Sequence, residues 1–250
     1  MRKNAMNKGF TLVELAIVMA IIGLLVGGVL KGQQLLANAK VTAQIKQFNQ
    51  VESASLGFRD KYNYLPGDFP AATQRIALCT AANFCVNGDG NNIIGLLTPG
   101  FTPSQSGNTS VPQIETAMFW KHLTMSNFLS GIEYDSNPAL PQWGETHPLA
   151  ETNGGLLLGF NAQYADVPNT QEVGHFLFLV GEPGGRTTNY SLSPLTAYQL
   201  DRKIDDGKPN TGSVLAEHVG TGCKTADNPT GIYNASDNDL SCVLWYKVQI

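Results

Sequence analysis

Charge is scarce in this chain of 250 residues. Only 14% of them are Asp, Glu, Lys or Arg, well below the quarter usual in soluble domains. The formal net charge is −4. The chain therefore lacks the overall basic surface that phosphate binding needs, and no nucleic-acid partner is expected. The four cysteines are too few for a disulfide-scaffold miniprotein. None stands in a C-x-x-C spacing, which excludes the usual redox motif and zinc knuckle. P-loop, HExxH and GxSxG patterns are missing, and His122, His147, His175 and His218 follow no ligand spacing. The expectation is a protein that is not an enzyme, with a membrane-anchored periplasmic enzyme as the distant alternative, since a site can be built from residues distant in sequence. No solenoid-type repeat occurs. Apolar residues, by contrast, reach 42%, which excludes a disordered chain.

The few charges are segregated. Residues 1–9 carry Arg2, Lys3 and Lys8 and no acid; residues 10–30 carry Glu14 alone. Residues 31–62 hold a surplus of three positive charges, and residues 63–250 a deficit of nine. The 21-residue run FTLVELAIVMAIIGLLVGGVL at 10–30, wound as a helix, would cover roughly 30 Å, the thickness of bilayer hydrocarbon. Basic residues before it place its N-terminus on the cytoplasmic side and the C-terminal bulk outside. The run is too long for the apolar core of a secretory signal. A carboxylate within such a run is costly, and where one occurs it is usually paired and functional. Beyond the run, residues 31–62 contain no proline. Val41, Ile45, Phe48, Val51, Ser55, Phe58 and Tyr62 recur at steps of three and four, which predicts one apolar face on a continuing helix.

The junction Lys8-Gly9-Phe10-Thr11-Leu12-Val13-Glu14 resembles the processing site of type IV prepilins and type II secretion pseudopilins. The resemblance implies cleavage between Gly9 and Phe10 by a prepilin peptidase, with methylation of the new Phe10 N-terminus. It makes Glu14 an assembly residue that pairs with the cationic N-terminus of a neighbouring subunit, as two opposite charges in low dielectric would. The implied partners are other copies and other pilins in a helical filament. An inner-membrane assembly platform and, before assembly, the lipid bilayer complete the set. The implied location is the bacterial inner membrane, with the head periplasmic or displayed on the filament. A major pilin, a minor pilin acting as tip adhesin or priming subunit, and a secretion pseudopilin share this N-terminus. One departure from many pilins is Lys31, where they place a proline; any bend must come from Gly23, Gly27, Gly28 and Gly32.

From residue 63 glycine, asparagine, proline and threonine dominate. Tyr64-Leu65-Pro66-Gly67-Asp68 stops the long helix. A short helix is predicted over 113–128, strands over 155–160, 174–180 and 242–249, and a helix capped by Ser193 with Pro194 at its first position and Gly207 at its end. The expected organisation is a leader at 1–9, a membrane or filament-core helix at 10–30, its amphipathic continuation at 31–62, and a head at 63–250. The fold class is α+β: a long N-terminal α-helix, membrane span plus stalk, packed on an antiparallel-sheet head, pilin-like.

Four cysteines allow three pairings. Proximity in sequence favours Cys79–Cys85 and Cys223–Cys242, and a head outside the inner membrane would lie in an oxidising compartment. No cofactor is expected, calcium being the open alternative. Asn87-Gly88-Asp89-Gly90-Asn91-Asn92 alternates oxygen-bearing side chains with glycines, a pattern that suits calcium and a simple turn equally. It is not an EF-hand. Asp89 and Asn91 are its candidate ligands. Asp237 and Asp239, in the loop between the last two cysteines, form a second candidate, suggested by pseudopilins that bind calcium near their C-terminus.

Overall fold

The structure, a computed structural model, describes residues 11–95, 114–137, 142–161, 173–183, 190–217 and 222–250. Its longest element is helix α1, Leu12–Tyr62. Two compact units meet within this helix, Met1–Lys40 and Val41–Ile250. In the first unit, every described residue from 11 to 40 is exposed, including Leu12, Val13, Leu24, Leu25, Leu30 and Leu35. This is the one described helix long and apolar enough to cross a membrane.

In the second unit the three- and four-residue spacing of α1 becomes a packed face. Val41, Gln44, Phe48, Val51, Ala54, Ser55, Phe58 and Tyr62 are buried. Ile45 is only partly buried. The helix ends as Asn63 turns to a left-handed φ of 65° and Pro66 forbids continuation. After it come the four-residue helix α2 (Ala72–Arg75), a 3-10 turn (Ala81–Asn83) and helix α3 (Glu115–Met125). The strands are β1 (Gly155–Asn161), β2 (Gly174–Val180), β3 (Val214–Glu217) and β4 (Val243–Lys247), with helix α4 (Pro194–Ile204) between β2 and β3. The long N-terminal helix followed by a small antiparallel sheet is the α+β, pilin-like architecture.

The sheet has the order β1-β2-β4-β3, antiparallel throughout. One face carries Leu156, Leu158, Leu177, Leu179, Val214, Ala216, Leu244 and Tyr246 into the core that contains Phe48 and Phe58 of α1 and Trp120 of α3. Phe48 stacks on Tyr246 at 4.8 Å between ring centroids. Burying a side chain of this size contributes about 1.5–3 kcal/mol. The other face buries Leu157, Phe176, Phe178, Val180, Leu215, Val243 and Trp245. With both faces covered, the strands read as unbroken apolar runs rather than alternating ones. Gly155 allows the Trp143 ring to lie on β1; a Cβ there would come within 2.3 Å of it.

Candidate functional site

At the start of α1, Glu14 is exposed and Thr11 caps it. The Glu14 Oε2 accepts from the Thr11 backbone N–H at 2.9 Å and from the Thr11 hydroxyl at 2.8 Å. The Glu14 N–H donates to the Thr11 Oγ1 at 3.3 Å. This is a reciprocal capping box. The Thr-x-x-Glu spacing at 11–14 was its visible signal. Helix α1 therefore begins at Leu12, just beyond the expected Gly9–Phe10 junction, and a carboxylate sits at its positive end. Gly9 and Phe10 themselves lie outside the described residues.

In the head, Cys79 and Cys85 form a disulfide, and so do Cys223 and Cys242. Near the first bridge the residues after α1 do more than stop a helix. Asp68 is fully buried. Its Oδ1 accepts from the backbone N–H groups of Gly90 at 2.6 Å and Asn91 at 3.0 Å, and its Oδ2 from Asn92 at 2.7 Å. Glu115, at the start of α3, is equally buried and accepts from the Asp89 N–H at 2.9 Å and the Gly95 N–H at 3.0 Å. The Asn87–Asn92 loop is thus pinned between two carboxylates from distant segments. Two glycines permit the approach. A Cβ on Gly67, whose φ is +90°, would fall 2.4 Å from the Glu115 carbonyl oxygen, and one on Gly88 would fall 2.4 Å from the Gly67 carbonyl oxygen.

Asp68, exposed Asp89 and Glu115 each offer one oxygen within 4.8 Å of the others. Burial pushes the Asp68 carboxyl up to about 6, against its three backbone donors. Burial likewise pushes Glu115 up to about 7. The donor set suits a hard cation that takes oxygen ligands. A carboxylate offers about four lone-pair sites, and the backbone donors leave some of them open on both buried acids. Asn91 is not aimed at the group: its Nδ2 donates to Asp89 and its Oδ1 accepts from the Ile93 N–H. Of the three, Asp89 alone belongs to the Asn- and Gly-rich loop; Asp68 and Glu115 lie 21 residues before it and 26 after it, so no local spacing marks the group.

The histidines position loops. His122 is buried, accepts from the Gly67 N–H at Nδ1 (2.9 Å), and so carries its proton on Nε2, 3.1 Å from the Val86 carbonyl. His175 accepts from the Ile94 N–H at 3.1 Å. Burial pushes His122 and His175 down to about 4 and His147 to about 3. His218 lies outside the described residues. At the C-terminal end Asp201 accepts from the Tyr233 hydroxyl at 2.8 Å and the Gly207 N–H at 2.9 Å. Asp237 accepts from the Asp239 N–H at 3.0 Å, a local turn. Among the described residues, Asp237 and Asp239 join no group of three possible metal ligands.

A family model described as "Prokaryotic N-terminal methylation motif" matches residues 4–30. Those residues carry the prepilin-type cleavage and methylation signal of type IV pilins and pseudopilins. No curated protein and no solved structure matches the chain. The motif supports a pilin- or pseudopilin-like precursor and points to a structural subunit. It implies processing by a prepilin peptidase and assembly with other pilins, and with the apolar helix it fits an inner-membrane anchor.

Proposed function

We propose that the chain is a structural subunit of a type IV pilus or a type II secretion pseudopilus. It would be cleaved after Gly9, methylated on Phe10, and drawn from the inner membrane into a filament through helix α1. The observation that carries this reading is the coincidence of the methylation motif with an α1 that is exposed from Leu12 to Lys40 and, from Leu12 to Leu30, apolar but for Glu14. Such a surface suits lipid before assembly and the apolar faces of other copies after it, since both remove it from water. Glu14 then stabilises the filament by pairing with a neighbour's methylated amine. In the Glu14→Ala variant the leader is removed normally, but the chain stays in the membrane fraction. Its amount in sheared filaments falls more than about tenfold, the loss expected when one partner of a low-dielectric pair is deleted. Wild-type incorporation of this variant would sink the mechanism.

A calcium ion held by Asp68, Asp89 and Glu115 is a second element of the proposal. It is favoured by the convergence of these three carboxylates on the loop that already suggested calcium in the sequence. Bound there, calcium would supply positive charge between the acids and fix the Asn87–Asn92 loop. Millimolar calcium raises the melting temperature of the chelator-treated wild type by several degrees, and Asp89→Asn removes the increase. Identical melting with and without calcium would refute the site.

A further inference from the structure

Beside the Cys223–Cys242 bridge lies a second set of groups poised for covalent chemistry. Lys224 and Asn210 are both buried, at 4% and 3% exposure. The Lys224 Nζ lies 2.7 Å from the Asn210 Oδ1. The same Nζ lies 2.8 Å from the Asp227 Oδ1, and the Asp227 side chain keeps a third of its surface in solvent. The Asn210 amide is fixed in turn, its Nδ2 donating to the carbonyls of Ala226 at 2.8 Å and Asn228 at 2.7 Å. Gly231 makes room for it, since a Cβ there would meet Nδ2 at 2.5 Å. Amine, carboxamide and carboxylate are thus held together with little freedom, the condition under which effective molarities become large.

We propose that Lys224 and Asn210 react to form an intramolecular amide bond. The neutral Nζ attacks the Asn210 Cγ, a bond forms between Nζ and Cγ, and the Cγ–Nδ2 bond breaks. Asp227 takes a proton from Nζ and delivers it to Nδ2, which leaves as ammonia. No oxidant or other reagent enters, and the only by-product is the ammonia. The two carbonyls that hold Nδ2 also accept hydrogen bonds from the departing ammonia. Burial lowers the affinity of Lys224 for its proton, while Asp227 opposes that shift; the pair therefore exchanges a proton more readily than an exposed lysine would. The product would tie the turn after α4 to the segment that follows Cys223. Two neighbouring residues, Cys223 and Lys224, would then each carry a covalent cross-link, which on the proposed function would brace a head displayed on a filament.

The test is mass spectrometry of the purified full-length chain, reduced and digested with trypsin. The expected result is a peptide containing residues 210 and 224 that is about 17 Da lighter than its sequence and uncut after Lys224. In Lys224→Arg the full mass returns and trypsin cuts after residue 224; in Asp227→Asn the bond forms incompletely. A wild-type peptide of full mass, cut after Lys224, overturns the proposal. So does a loss of about 17 Da with cleavage after Lys224 retained, because that combination marks a cyclised asparagine rather than a cross-link.

Discussion

Burial shifts single titratable side chains in the head towards their neutral forms, acids upward and histidines downward, and each has its own pH window. Glu115 keeps its proton to about pH 7 in the fold and to about 4.5 in the unfolded chain. Its contribution is therefore complete below pH 4.5 and is lost as pH rises through 7. Asp68 and Asp201, raised to about 6 and 7 from 3.8, act in the same sense. His122, lowered from 6.5 to about 4, acts in the opposite sense, its contribution complete above pH 6.5 and lost as pH falls through 4. His147 and His175 follow His122. Opposed slopes flatten the wild-type profile between about pH 4.5 and 6.5, and one substitution separates them. Glu115→Gln keeps the shape of the protonated acid but does not titrate. With a chelator present, unfolding free energies measured in denaturant move in favour of this variant between pH 4.5 and 7.5. The change is on the order of 2 kcal/mol once solvent screening is allowed for. A constant difference between variant and wild type across that range contradicts the assignment.

At the scale of elements, legibility in the sequence followed the strength of the local signal. The face of α1 from Val41 to Tyr62 was visible because helical spacing persists over six turns. Helix α4 was visible because Ser193 and Pro194 are strong start signals; the Ser193 hydroxyl indeed accepts from the Thr196 N–H. Strands β1, β2 and β4 announced themselves as apolar runs bounded by glycine and asparagine. Helix α3 is shorter than the predicted 113–128 and occupies Glu115–Met125. Nearly all of it is buried, so it offers no polar face whose end would mark a boundary. Strand β3 leaves no such signal in the sequence. Four residues, Val214–Glu217, are too few for periodicity to register. What brings them into the sheet is pairing with β4, a contact remote in sequence.

The candidate sites divide in the same way. The capping box of Thr11 and Glu14 is local and could be read directly. The carboxylate group around the Asn87–Asn92 loop could not, since Asp68 and Glu115 reach it only through the fold. The Lys224–Asn210–Asp227 set is likewise invisible as a spacing, because a turn and a strand return bring Asn210 to Lys224.

On the scale of the whole molecule, the segregation of charge in the sequence has a structural counterpart. A unit ending at Lys40 exposes an apolar helix with a single acid at its start, and a unit from Val41 onward carries the acidic head. A soluble protein would not keep so many leucines, valines and isoleucines of one helix in contact with water. On the proposed function, the helix is retained and only its basic leader is removed. The most direct measurement is the mass of the N-terminal peptide of the chain isolated from its membrane. A peptide that begins at Phe10 and is about 14 Da heavier than its sequence, the increment of one methyl group, is the result this account predicts. A peptide that begins at Met1, or at a residue beyond the apolar run, would contradict it.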